Sequence, residues 1–96
     1  MGHYYRNSVC TGDDSIDDRG KCVDVAGGNN NNHTQIQQWD CDKDNWNQKF
    51  TYDGAIQAYR WATNPNRCID IAGNNRANGA KIQLYDCNAS EAQRFV

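Results

Sequence analysis

The chain has no apolar run near the ~18 residues that a membrane helix requires, and its start, Met1-Gly2-His3-Tyr4-Tyr5, has no apolar stretch of signal-peptide length. The expectation is a soluble chain without membrane insertion, either already processed or carrying a new start. Basic residues are also short. Lys and Arg total 10 against 12 Asp and Glu, the net charge is -2, and no Lys/Arg cluster occurs, which excludes the basic face that a nucleic-acid partner needs. There is no Cys-x-x-Cys, and His3 and His33 do not sit at zinc-ligand spacing, so no metal site and no cofactor are expected. Nor is there a Gly-x-Ser-x-Gly, and the carboxylate pairs fall in loop-like stretches rather than across a cleft, so the chain is not expected to be an enzyme. Only 38% of the residues are hydrophobic and mean hydropathy is -1.00, so aromatics rather than aliphatics are expected to supply the core, from 3 Trp, 5 Tyr and 2 Phe. A disordered tail would not carry them. At 96 residues there is interior for one small domain and not for two.

Cysteine is the exception to this scarcity. Five in so short a chain imply disulfides and an oxidising, secreted or extracellular setting. Cys22 to Cys41 and Cys68 to Cys87 span the same interval of 19 residues. A bridge across each would stabilise the fold by about 3 kcal/mol in the chain-entropy model. Cys10 is left without an intrachain partner.

The two intervals are copies of one unit. Cys22-Val23-Asp24-Val25-Ala26-Gly27 aligns with Cys68-Ile69-Asp70-Ile71-Ala72-Gly73 at an offset of 46, and Ile36-Gln37-Gln38-Trp39-Asp40-Cys41 aligns with Ile82-Gln83-Leu84-Tyr85-Asp86-Cys87 at the same offset. Ten of the twenty positions from first to second cysteine are identical. Asn47-Gln48-Lys49-Phe50 then matches Ala92-Gln93-Arg94-Phe95 at an offset of 45, which places one inserted residue in a loop between Cys41 and Gln48. Val23/Val25 and Ile69/Ile71 alternate with Cys and Asp in the period of a half-buried strand, as do Ile36/Gln38 and Ile82/Leu84. The Gly- and Asn-rich runs after Ala26 and Ala72 are turn chemistry. Tyr52-Asp53-Gly54-Ala55-Ile56 reads as a hairpin turn into a strand that opens the second unit, and Ser15-Ile16-Asp17 is the candidate opening of the first. Phe50, Phe95, Val23, Val25, Ile69 and Ile71 are the candidate core, while periodicity does not settle which way Trp39 and Tyr85 point.

Cys-hydrophobic-Asp-Val/Ile, then Ile-Gln-x-aromatic-Asp-Cys, then Gln-x-Phe, twice in order, resembles the repeat of ricin-type β-trefoil lectins, from Ile16 to the C-terminus. The resemblance implies an all-β, β-trefoil-like domain with two of the usual three lobes, each stapled by its disulfide: lobe one over residues 16–51 and lobe two over 52–96, after an N-terminal segment of residues 1–15. It implies non-catalytic binding of glycans or polysaccharide, with galactose or N-acetylgalactosamine as the suggested sugar and xylan-type ligands as the competitor. The binding positions it assigns are Asp24, Gln37, Trp39, Asn47 and Gln48 in lobe one, and Asp70, Gln83, Tyr85 and Gln93 in lobe two. Ala92 stands where lobe one has Asn47, which removes a hydroxyl contact and predicts a weaker second site. The chemistry agrees with the residue types: a fixed carboxylate and amides grip vicinal hydroxyls, and an aromatic ring stacks on the C–H face of a sugar.

Plainer roles compete with these. Asp24 and Asp70 are also the residue type that caps turns, and Gln48 and Gln93 are expected to bond backbone first. Asp13-Asp14-Ser15-Ile16-Asp17-Asp18 and Asp42-Lys43-Asp44 lack the Gly and Glu of a calcium loop. Asn32-His33-Thr34 and Asn88-Ala89-Ser90 are glycosylation sequons. The absent third lobe keeps a second class of function open, an assembly module completed by a homo-oligomer or a parent protein, with Cys10 as a possible covalent link.

Overall fold

The computed structural model describes residues 21–96, preceded by two short strands, β1 (Tyr4–Tyr5) and β2 (Ser8–Val9), paired antiparallel. Cys10, His3, the acidic stretch at 13–18 and the strand expected at Ser15-Ile16-Asp17 lie outside the described residues. Two sheets follow. β3 (Lys21–Val25) pairs with β4 (Ile36–Asp40), and β5 (Phe50–Asp53), β6 (Ala58–Trp61), β7 (Asn64–Ile71) and β8 (Ile82–Asp86) form an antiparallel meander in that order. Among the described residues there is no α-helix, only 3₁₀ turns of three residues at Ala26–Gly28, Trp46–Gln48, Ala72–Asn74 and Glu91–Gln93.

The strand registers carry the 46-residue offset into space. Cys22 faces Trp39 and Asp24 faces Gln37 across β3–β4, while Cys68 faces Tyr85 and Asp70 faces Gln83 across β7–β8. Disulfides Cys22–Cys41 and Cys68–Cys87, with Cα atoms 5.2 and 5.0 Å apart, tie the head of β3 and the middle of β7 to the residue that follows β4 and β8. Phe50 closes the motif of lobe one and also begins the sheet of lobe two. The expected hairpin turn lies between β5 and β6, where Arg60 donates to Asp53 at 2.9 Å. That hydrogen bond and the Ala55 N–H hold the Asp53 carboxyl below the usual range.

The core differs from the expectation of aromatic dominance. It consists of Val23, Val25, Ile36, Ile69 and Leu84 with only two aromatics, Phe50 and Trp61. The repeat explains this: the same few aliphatic positions are buried twice, and two of the three Trp stay outside, Trp39 at 57% and Trp46 at 63% exposure. Ile71 and Phe95, expected in the core, are half-buried at its edge. The alternation expected of β3 is also absent, because Cys22, Val23, Asp24 and Val25 are all buried. The disulfide covers one polar position, and a hydrogen-bonded cage covers the other.

The Asn-rich run that the sequence presents as a turn also joins the two units. The His33 N–H donates to the Leu84 carbonyl and the Leu84 N–H to the Thr34 carbonyl, both at 2.8 Å. The Asn32 amide is used at both ends on Asp86, donating to Oδ2 at 3.1 Å and accepting the backbone N–H at 2.9 Å. Asn30 accepts from Asn64 Nδ2 and, through its carbonyl, from Arg67 Nε, each at 2.9 Å. Residues 29–34 of lobe one therefore clasp β8, the edge strand of lobe two, and satisfy backbone groups that an open edge would expose. Replacing Asn32 by Ala should cost about 1–3 kcal/mol for the two lost bonds, a fall in Tm of roughly 4–8 °C per kcal/mol for a domain of this size. Asn32→Asp sets a second carboxylate against Asp86 and should fall at least as far. Thermal denaturation followed by circular dichroism checks both, and unchanged melting of the pair would show that the clasp contributes nothing.

Candidate functional site

In each lobe one carboxylate is buried at the centre of a cage of amides. Asp24, on β3, is 2% exposed. Its Oδ1 accepts from Gln37 Nε2 across the strand pair at 3.2 Å, and its Oδ2 accepts from Gln48 Nε2 at 3.0 Å, with a longer contact of 3.5 Å from Asn45 Nδ2. Gln48 is fully buried and its capacity is spent inside the protein: the second amide hydrogen reaches the Asp40 carbonyl at 2.9 Å, and Oε1 accepts the Asp42 N–H at 2.9 Å. Gln48 thus fixes the carboxylate and the end of β4 together, the backbone-bonding role expected of it first. Gln37, half-buried, supports the carboxylate too.

Asn47 stands on the 3₁₀ turn Trp46–Gln48, whose entry is fixed by Asn45 Oδ1 accepting the Asn47 N–H at 3.0 Å. The Asn47 side chain packs so closely on Gly28 that a Cβ there would lie 2.8 Å from Asn47 Oδ1. Gly28 also has φ +65, so glycine is required twice over. Trp39 projects from β4 largely into solvent and, with the loop from Asp40 to Asn45, walls a shallow cavity of about 450 Å³. The structure brings Gln37 and Gln48 onto Asp24 and sets Asn47 beside Gln48 on the turn, while Trp39 shares β4 with Gln37 and walls a cavity lined by residues 39–45 and by none of the other four. Asn45, Gly28 and the exposed Trp46 are members of this neighbourhood that motif reading missed. Only Asn45, two residues before Asn47 at a cap position, carried a signal that could have found it.

Lobe two repeats the cage and changes its mouth. Asp70, 5% exposed, accepts from Gln83 Nε2 at 3.1 Å and from Gln93 Nε2 at 3.0 Å. Gln93 also donates to the Asp86 carbonyl at 2.8 Å and accepts the Asn88 N–H at 2.9 Å, matching Gln48 bond for bond. At the mouth, Ser90, Ala92 and Asn74 replace Asn45, Asn47 and Gly28. Asn74 keeps the left-handed backbone at φ 53. A side chain is present at 74 where a Cβ at 28 would meet Asn47, and the repeat register sets Ala92 in place of that Asn. Tyr85 is half-buried and packs on His33, with ring centroids 5.1 Å apart at 64°. The cavity of about 410 Å³ beside it is walled by Arg60, Asn66 and the Asp86–Ala89 loop, not by Tyr85.

Among the described residues, every buried side-chain nitrogen and oxygen has a partner, and no group of three His, Cys, Asp or Glu is placed to hold a metal. The described residues thus form a disulfide-stapled all-β arrangement of two repeated lobes, each with a caged carboxylate on the strand pair that carries an aromatic ring. Residues 13–96 match the ricin-type beta-trefoil lectin domain, and the chain belongs to that family, a family of carbohydrate-binding domains. Among solved structures the chain is similar to the C-terminal domain of an earthworm lectin, a mutant crystallised with 6'-sialyllactose, at 12% identity and a TM-score of 0.47 over 80% of this chain and 88% of that one. No curated protein matches the chain.

The exchange of Gly28 and Asn47 for Asn74 and Ala92 generates a double-mutant test. Gly28→Ala should cost about 1–2 kcal/mol from the left-handed backbone alone and displace the Asn47 side chain, visible as shifts of its amide resonances. Ala92→Asn should be destabilising alone and close to neutral with Asn74→Gly, a coupling on the order of 1 kcal/mol in denaturant titrations. Additive effects would show that the two positions do not meet.

Proposed function

We propose that the chain is a secreted, non-catalytic carbohydrate-binding domain whose principal site is lobe one, with Trp39 as stacking platform, Asp24 and Asn47 as hydroxyl partners, and Gln37 and Gln48 holding the carboxylate. Galactose or N-acetylgalactosamine is the favoured ligand class and xylan-type polysaccharide the competitor. The observation that carries the reading is the state of Asp24. A carboxylate has about four acceptor positions, and Gln37, Gln48 and Asn45 take three, leaving one on a carboxylate whose strand pair also carries an exposed indole and whose cage glutamine, Gln48, follows Asn47 on the same turn. A ring that is 57% exposed contributes little to the core, so its retention on a rigid strand fits a surface built for contact. Lobe two, through Asp70, Gln83, Tyr85 and Gln93, is the weaker site, because Ala92 offers no hydroxyl partner. Single shallow sites bind monosaccharides weakly, and avidity comes from several presented together.

Galactose, N-acetylgalactosamine and xylo-oligosaccharides should be titrated separately while the Trp39 indole and Tyr85 ring resonances are followed by NMR. Trp39 should respond first. Trp39→Ala, which removes an exposed side chain and leaves the cage whole, should weaken lobe-one binding about tenfold or more at unchanged Tm, from loss of stacking. Asp24→Asn should weaken it as well, with some loss of stability because a caged charge is removed. No response to any saccharide on a glycan array would reject this reading.

A second reading, assembly, draws on a groove of about 980 Å³ between β4 and lobe two, into which Ile36, Ile71, Ile82 and Phe95 open. A third lobe from a parent protein or a second copy would cover those residues. Sedimentation with and without reductant separates the cases: a monomer that binds saccharide favours the lectin, and an oligomer released by reductant implicates Cys10.

A further inference from the structure

We propose that His33, a residue of the lobe-one clasp, determines the specificity of the lobe-two site, which is thereby shared between lobes and takes a saccharide bearing a carboxylate once His33 is protonated; the proposal rests on the carbohydrate-binding reading of that site. His33 Nδ1 lies 3.2 Å from Gln83 Oε1, and Gln83 Nε2 donates to Asp70 Oδ1 at 3.1 Å. With the glutamine nitrogen committed to the carboxylate, its oxygen faces the imidazole, and an oxygen that only accepts requires a proton on Nδ1. The neutral and the cationic ring both satisfy that requirement, so the hydrogen bond persists through titration and the ring stays where it is. Nε2 alone changes. It has no partner among the described residues, accepts a hydroxyl proton when the ring is neutral, and donates with a positive charge when it is protonated.

The ring packs on Tyr85, so a saccharide that uses Tyr85 meets His33 as the adjoining wall. Lobe one has the neutral amide of Asn47 for a polar contact, whereas lobe two has Ala92 and must draw on a residue from elsewhere. Around the imidazole, the charges of β7 and β8 are already engaged. Asp86 is held by Arg67 and Asn32, Arg67 also donates to the Asn30 carbonyl, and Asp70 is caged by Gln83 and Gln93. On the turn beyond, the Glu91 side chain is exposed and its carbonyl accepts from Arg76. Among the described residues Tyr85 is the ring that His33 packs on, and protonation of the imidazole sets a positive charge beside a ligand at that ring.

The sequence also supplies clean variants. His33 has φ 72, a region that Asn and Gly tolerate. His33→Asn returns an N–H close to the place of Nδ1 without a titrating Nε2, and His33→Gly removes both. The full chain should be titrated with galacturonic acid, whose carboxylate is ionised at both pH values, and with galactose, following Tyr85 and Trp39 resonances separately. The expected result is galacturonate binding at Tyr85 about three- to tenfold tighter at pH 5.5 than at pH 8, as for a partly exposed charge-assisted hydrogen bond, with little change for galactose. His33→Asn should keep the melting temperature and lose the pH dependence, and His33→Gly should lose it too. The proposal is overturned if the pH dependence survives in His33→Asn, or if neither saccharide perturbs Tyr85. Trp39 distinguishes the failures: a Trp39 response without a pH-dependent Tyr85 response leaves lobe one a lectin site, and silence at both rings removes the lectin reading as well.

Discussion

Asp24 and Asp70 are ionisable side chains placed where 2% and 5% of their surface meets solvent, and a carboxylate buried without partners costs several kcal/mol. Each is tolerated because two glutamines converge on it from different elements, one across the strand pair and one from the 3₁₀ turn that follows the second cysteine. The second glutamine also accepts a backbone N–H and donates to a backbone carbonyl, so the charge, the end of the strand and the turn form one hydrogen-bonded body. Removing any member leaves an orphaned polar group inside, which is why the arrangement is rigid. The disulfide, fastened at the same end of the strand pair, constrains the unfolded chain toward that geometry. The strands that carry Trp39 and Tyr85 are held by this body.

The two units share the cage and diverge at its mouth, a pattern that follows from energetics. Cage residues are coupled through buried bonds, so a single change there is costly. Mouth residues face solvent and are coupled only in pairs. Gly28 with Asn47 and Asn74 with Ala92 are two solutions to one steric constraint, since the left-handed backbone is kept in both and a long side chain stands on only one of the two turns. Moving from one solution to the other passes through a clash or a gap, not through an unfolded cage.

Much of the fold was legible because its signals are local and doubled. The cysteine interval, the strand pairs and the turn residues each occur twice at a fixed offset, and the register of β3–β4 and β7–β8 follows that alignment. The cage itself was legible as residue types, Asp with two Gln, although the direction of the bonds was not. What escaped is non-local or depends on burial. Asn30 and Asn32 read as turn formers, and nothing in the motif shows that they reach Asn64, Arg67 and Asp86 of the other unit. Period-two alternation predicted a wet face for β3, yet Cys22 and Asp24 are buried by a bridge and a cage that periodicity does not see. Counting aromatics overstated their share of the core, because composition says nothing about which Trp stays outside.

The clasp has a consequence for access. A stacking ring must keep one face open, and Trp39 does, being 57% exposed. Tyr85 occupies the matching register position opposite the first cysteine of its unit and is nevertheless half-buried, because the loop that seals the β8 edge sets an imidazole against it. The contact that joins the lobes therefore covers part of the Tyr85 ring, and a tighter interface would cover more of it. A smaller residue at 33 would open the ring and leave Gln83 Oε1 without its partner, loosening the cage around Asp70. Histidine meets both demands, since its proton satisfies the amide while its far nitrogen stays available. The different settings of Trp39 and Tyr85 thus follow from joining two copies of one unit by a loop that belongs to only one of them.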